Sequence, residues 1–208
     1  RSFSDMQKLV GYDFVEVLNH YRTSDEYWDH SLSSGRLSWI MGNDDTHDFI
    51  KEPPFRIWNI IYSNKRNKDT ILKSMQYGKN YAISSFNGRC DNSLKSCKQK
   101  GSQIKMEFIE DADSIVLIGQ KGTIKATFYN TDTLIYNFQK SDTYIRAVCY
   151  NKNSHLYLNP IVRIEKELLL NSNVRPDSNF LKTWLFRIMI ILISLGLFLA
   201  IKKIVSLR

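Results

Sequence analysis

The run from Trp184 to Ile201, WLFRIMIILISLGLFLAI, carries a single charge over 18 residues. A stretch of roughly 17–25 apolar residues is what a helix needs to cross a bilayer. An amphipathic surface helix would show a polar face, but residues 188–201 offer only Ser194 and Gly196. Arg187 lies near one end, where its long stem can carry the guanidinium to the headgroups. Trp184 and Phe186 suit the same interface. The sequence therefore predicts a transmembrane helix over 183–201, a polar linker over 167–182 containing Pro176, and a basic tail over 202–208, with membrane lipid as a partner. Lys202, Lys203 and Arg208 follow the span, against Lys182 and Arg187 before it. That balance favours a cytoplasmic C-terminus and a large domain outside the cytoplasm. Such a topology implies an upstream signal or span. In an oxidising space Cys90 and Cys97, separated by the polar hexapeptide DNSLKS, could close a small ring. Cys149, in an apolar run, reads as core.

A second feature carries chemistry. Residues 40–48 read IMGNDDTHD and follow the apolar run 37–41, which reads as a short buried strand. An Asp-x-His pair, Asp45 and His47, thus stands at the carboxyl end of a strand, the edge where parallel α/β folds place their active residues. One hard oxygen and one borderline nitrogen suit zinc, manganese or iron better than calcium. The structural alternative is that Asn43-Asp44-Asp45 forms a turn tolerating unusual backbone angles. Upstream, 14–19 (FVEVLN) is a β-rich strand candidate. Thr23-Ser24-Asp25-Glu26 then starts a helix with hydroxyl caps and two acids in the first turn. Tyr27, Trp28 and Leu32 recur at helical spacing, and Gly35 stands where a left-handed cap ends the helix. The order is strand, helix, strand, then candidate ligands.

The run VEVLNHYRTSDEYWDHSLSSGRLSWIMGNDDTHD resembles the last part of a PHP (polymerase and histidinol phosphatase) domain, the fold of a family of metal-dependent phosphoesterases. FRIWNIIYS resembles a closing strand, NKDTILKSMQYGKNYAISS a helix ending in Gly before a strand, and LYLNPIVRI the end of a following β-domain. The resemblance covers roughly 12–164 and rests on the order of elements, Asp-x-His being its one specific motif. It implies that Asp45 and His47 are metal ligands and catalytic, with Asn19, His20 and Asp44 on the rim. A divalent zinc, manganese or iron ion and a small-molecule phosphoester substrate follow from the same resemblance. The chain departs from the family in having no His-x-His; His20, His30 and His155 are its other histidines. The expectation is a C-terminal portion of a longer enzyme, inactive by itself.

Residues 79–164 read as all-β, with strands at 79–84, 103–108, 114–118, 123–129, 134–138, 144–150 and 156–161. Turns are expected at 119–122, 130–132 and 151–153. About seven short strands suggest a sandwich. The predicted architecture is an α/β fragment over 1–78, the end of a distorted PHP-type β/α barrel, then a β-sandwich-like domain over 79–166 and one transmembrane helix. Arg146 reads as a residue on the polar face of its strand, the alternative being an active-site contact. The net charge of +8 includes a cluster at Arg89, Lys95, Lys98, Lys100 and Lys105. No aromatic residues interleave that cluster, so it reads as a solvated basic loop and no nucleic acid partner is expected. Two functions follow: a membrane-anchored metal-dependent hydrolase, or a non-catalytic membrane-tethered β-sandwich binding protein with a degenerate barrel.

Overall fold

The computed structural model describes residues 2–163 and 179–206. After a short helix α1 (Phe3–Met6), the chain runs through β1 (Phe14–Asn19), the two-residue β2 (Arg22–Thr23) and α2 (Asp25–Ser33) to β3 (Trp39–Asn43). β1 and β3 pair in parallel, from Phe14 opposite Trp39 to Asn19 opposite Asn43, while β2 folds back antiparallel on β1. The predicted strand-helix-strand unit is present. Asp25 and Glu26 occupy the first turn of α2, and Gly35 follows its end at φ +79°. β3 starts two residues later than the apolar run suggested, because the Trp39 N–H bonds the Asp13 carbonyl at 2.8 Å and sets the register there.

The remaining strands form one antiparallel sheet. In chain order they are β4 (Ile57–Ile61), then after α3 (Lys68–Gln76) β5 (Asn80–Ser85), β6 (Leu94–Lys100), β7 (Gln103–Ile118), β8 (Ile124–Asn137), β9 (Tyr144–Tyr150), β10 (Ser154–Leu158) and β11 (Ile161–Val162). The spatial order is β4-β5-β10-β9-β7-β6, with β8 also on β7 and β11 on β9. β4 and β5 pair across the position 78/79 where a boundary was expected. One edge of β7 is shared: residues 103–108 pair with β6 and 114–118 with β9. The register with β8 jumps between Glu107 and Ala112, a bulge that bends the strand. The sheet curls as a result, in place of the expected sandwich. For the same reason two pairs of expected strands merge. Residues 103–108 and 114–118 are both β7; 123–129 and 134–138 are both β8, with Asn130 at φ +50° where a turn was expected. β6 replaces the expected basic loop: Lys95, Lys98 and Lys100 lie on an edge strand, where lysines discourage further pairing.

Alternation along these strands feeds two cores. Tyr81, Ile83, Ile115, Leu117, Ala147 and Leu156 point into the curl. Their neighbours Ala82, Ile118, Val148 and Tyr157 pack on the other face against Val17, Leu18, Trp28, Trp39 and Ile40 of the β-α-β unit. β9 is therefore covered on both sides, and Arg146 is only 1% exposed. This corrects the polar-face reading. Its Nε and Nη2 donate to the two Asp29 oxygens at 2.7 and 2.6 Å, and its guanidinium carbon lies 5.4 Å from the centre of the Trp28 ring. Burial opposes the Arg146 charge, but the Asp29 carboxylate outweighs it and raises the pKa. The Tyr144 hydroxyl, 2.9 Å from Asp29 Oδ1, completes the cluster.

β3 docks on the large sheet at Gly42, where a Cβ would lie 2.8 Å from Ile57 Cγ2 and 3.2 Å from Ala82 Cβ. No strand pairs with that edge among the described residues. Asparagine amides serve it instead. Asn59 accepts from the Gly42 N–H at 3.0 Å and donates to its carbonyl at 2.6 Å; Asn80 donates to the Ile40 carbonyl at 2.9 Å; Asn159 accepts from the Ile40 N–H at 2.8 Å. Buried backbone groups must be paired, and these side chains act as a substitute strand.

Asp142 gives the large sheet a pH dependence. Its carboxylate accepts from the Tyr136 hydroxyl and the Gln139 N–H, both at 2.8 Å, and meets Lys125 Nζ at 2.9 Å. Burial works against its charge, but these partners prevail and its pKa falls below the ordinary carboxylate value, while that of Tyr136 is pushed up to about 12. A depressed carboxylate stabilises the fold above the unfolded pKa of about 3.9, and that contribution is lost as pH falls through the native value. The stability difference between wild type and Asp142→Asn should thus be constant from pH 7 to 5 and shrink on further acidification. A difference that grew below pH 4 in denaturant titrations would contradict this assignment.

The second unit holds α4 (Phe180–Ser206), and the most apolar 18-residue window within Phe180–Lys203 has mean hydropathy 2.5. Its 24 residues, at about 1.5 Å each, are long and apolar enough to span a bilayer. Arg187 lies 5.5 Å over the Trp184 ring. Lys202 and Lys203 of the expected tail belong to the helix; most of the expected linker lies outside the described residues. Cys90 and Cys97 are free thiols, and Cys149 is buried as expected.

Candidate functional site

β1 and β3 are parallel, so their carboxyl ends meet at one edge, and the sequence-expected residues gather there. Asn19 ends β1, and its Nδ2 donates to Asp45 Oδ2 at 3.1 Å. Asn43 ends β3; its side chain accepts from the Asp45 N–H at 2.6 Å, and Asp45 takes φ +50°. The turn expected as the structural alternative is therefore real, and it aims the Asp45 carboxylate back over β1. His47 follows on the same loop, with Nδ1 2.7 Å from the Asp45 carbonyl and 3.9 Å from Asp45 Oδ1. A carbonyl oxygen can only accept, so Nδ1 is the donor in this bond, and Nε2 is the nitrogen that holds the lone pair in the neutral ring. Histidines that bind metals commonly have this arrangement, the second ring nitrogen being held by a backbone carbonyl.

Asp44 does not reach the same point. Its carboxylate accepts three backbone N–H groups, from Phe55 at 2.6 Å, Arg56 at 2.8 Å and Ile57 at 2.6 Å. It closes the loop between β3 and β4 and enters β4 itself. His20 packs edge-on against Tyr21, with ring centres 5.0 Å apart. Glu52 joins the edge unforeseen: it accepts from the His47 N–H at 2.8 Å and from the Tyr21 hydroxyl. Those two bonds lower its pKa, and Glu52 in turn pushes the Tyr21 phenol up to about 12. The only hint in the sequence was an acid five residues beyond His47 on the same loop.

Among the described residues no three His, Cys, Asp or Glu side chains converge on a metal-sized position. Asp45 and His47 supply two donors, a part of the shell of four or more that zinc or a harder divalent ion takes. Comparison with protein families, curated proteins and solved structures found no match to this chain.

Proposed function

We propose that the edge formed by β1 and β3 belongs to a membrane-anchored, metal-dependent hydrolase of the PHP phosphoesterase type, with further metal donors supplied from outside the described residues. The observation that carries this reading is the joint positioning of Asp45 and His47. One carboxylate is fixed by Asn19 and the Asn43 turn, and one imidazole is fixed by a carbonyl with Nε2 left for a ligand. A bound divalent ion would supply a water of lowered pKa and polarise a phosphoester oxygen. Asn19 orients the Asp45 carboxylate, and the Asp45 carbonyl fixes the imidazole tautomer. Glu52 and Tyr21 hold the loop that carries His47. The apolar helix Phe180–Lys203 supports the membrane anchor, and the balance of Lys and Arg about it favours a catalytic domain outside the cytoplasm.

The test is metal content by mass spectrometry together with phosphomonoester hydrolysis, on the full-length protein. Loss of an orienting partner already costs roughly 10–100-fold in affinity or activity. Asp45→Ala and His47→Ala should each cost at least that much while the thermal midpoint holds. Unchanged metal content and turnover in both variants would remove the assignment and leave the binding-module reading.

A further inference from the structure

Away from this edge, two cavities of contrasting character adjoin, one of them reaching Trp39 at the amino end of β3. One, of about 450 Å³, is walled by Trp39, Tyr81, Leu94, Met106 and Leu158. The other, of about 530 Å³, is polar and is lined by Lys65, Lys73 and Lys79, with Asp69 as its one carboxylate. They share Tyr62, Tyr77 and Lys79, so each is the antechamber of the other. Volumes of this order are those of small-molecule sites.

The apolar chamber is built rigidly. Gly78, at φ +67°, lets the chain pass so close to the Trp39 ring that a Cβ there would lie 2.8 Å from it. The Trp39 indole donates to the Gln76 carbonyl at 2.8 Å, and the Tyr62 hydroxyl to the Leu94 carbonyl at 2.6 Å. Asn159 ties the floor together by donating to the carbonyls of Gly78 at 3.0 Å and Asn80 at 2.8 Å. Walls held in this way do not have to be ordered by a ligand. In the polar cavity, Lys65, Lys73 and Lys79 have no ion-pair partner among the described residues. Lys95 adds a fourth cation at the apolar chamber.

From this we infer that the paired cavities bind an anionic amphiphile, a ligand with an apolar body and one phosphate or carboxylate head. The body would lie among Trp39, Tyr62, Tyr77 and Tyr81, and the head among the lysines. A neutral sugar would use the rings but not the cations; a free phosphate would use the cations but leave the chamber empty. Both a single-chain lipid phosphate and a soluble aromatic phosphate have the required chemistry. The inference does not depend on the metal reading, since none of the residues at the β1–β3 edge line either cavity.

The test uses the full chain in neutral phosphatidylcholine nanodiscs and a dodecyl phosphate carrying a terminal diazirine. After irradiation, adducts should map to peptides containing Tyr62, Tyr77, Tyr81 or Leu158. Excess dodecyl phosphate should abolish them; dodecanol and inorganic phosphate should not. Competition by 1-naphthyl phosphate as well identifies a soluble aromatic anion as sufficient, whereas its failure identifies a lipid-borne one. Lys73→Gln combined with Lys79→Gln should weaken labelling by about tenfold or more without moving the thermal midpoint, since charge-assisted bonds to the head are lost. The ligand should also slow alkylation of Cys97, which lines the chamber, and leave Cys90 unaffected. Adducts confined to Phe180–Lys203, equal competition by dodecanol, or labelling indifferent to the lysines would each overturn the inference.

Discussion

Replacing Arg146 with Ala should lower the stability of the large unit by about 3–5 kcal/mol, the cost of stripping one partner from a buried ion pair. The reason lies with Asp29, whose side chain is 3% exposed and would be left buried with no guanidinium to meet it. Tyr144 would remain, but one hydroxyl cannot replace two charge-assisted bonds. The control is the double variant Arg146→Met with Asp29→Leu. Removing both charges for apolar groups of similar volume is often neutral or stabilising, so much of the loss should return. Urea unfolding in detergent, followed by intrinsic tryptophan fluorescence, measures both. A single-variant loss below about 1 kcal/mol would mean that water reaches Asp29 and that the pair is not sealed.

Asp44→Ala should be nearly as damaging, by roughly 3–5 kcal/mol. Three N–H groups of residues 55–57 lose a charged acceptor, and bonds to charged groups are each worth about 1.5–3 kcal/mol, less some recovery from water. The failure should be local first. The loop 45–56 should become the earliest site of proteolysis and of amide exchange, ahead of the large sheet. Asp44→Asn keeps one acceptor oxygen and should recover a part of the loss. Wild-type protection in both variants would contradict the loop-closing role. The outcome also separates Asp44 from Asp45, whose removal should leave the loop closed and, on the proposed function, act on metal binding instead.

Local patterns in the sequence were read correctly where local physics decides. The helix start at Ser24-Asp25-Glu26, the Gly35 stop and the alternation in Ile104-Lys105-Met106 depend on neighbours within a few residues. The Asp45–His47 pairing was legible for the same reason: a strand end and a two-residue spacing bring them together. What could not be read depends on distant partners. Arg146 looks like a polar-face residue until α2 covers β9. Asp44 looks like a rim residue until β4 presents three N–H groups to it. β6 shows no apolar stripe, because an edge strand whose exposed side chains are lysines has little burial to record. The bulge in β7 hid in an acidic run, Glu107 to Asp113, that resembled the gap between two strands. Glu52, Asn59, Asn80 and Asn159 carry no local signature, since each is defined by the backbone it meets.

The pairing of α2 with β9 also fixes an order of events during synthesis. Asp29 and Arg146 are 117 positions apart, so the ribosome releases the whole β-α-β unit long before its cover exists. During that interval Trp28 and Ile40 lack the sheet face that buries them, and the free edge of β3 waits for the amides of Asn59, Asn80 and, last, Asn159. Contacts this remote slow folding, because the intervening chain must be gathered before they repay its entropy. The nascent β-α-β unit thus keeps this face uncovered until the large sheet is complete, and the apolar helix from Phe180 follows soon after Asn159. Folding of the large unit and emergence of a helix long and apolar enough to span a bilayer therefore fall in the same short window.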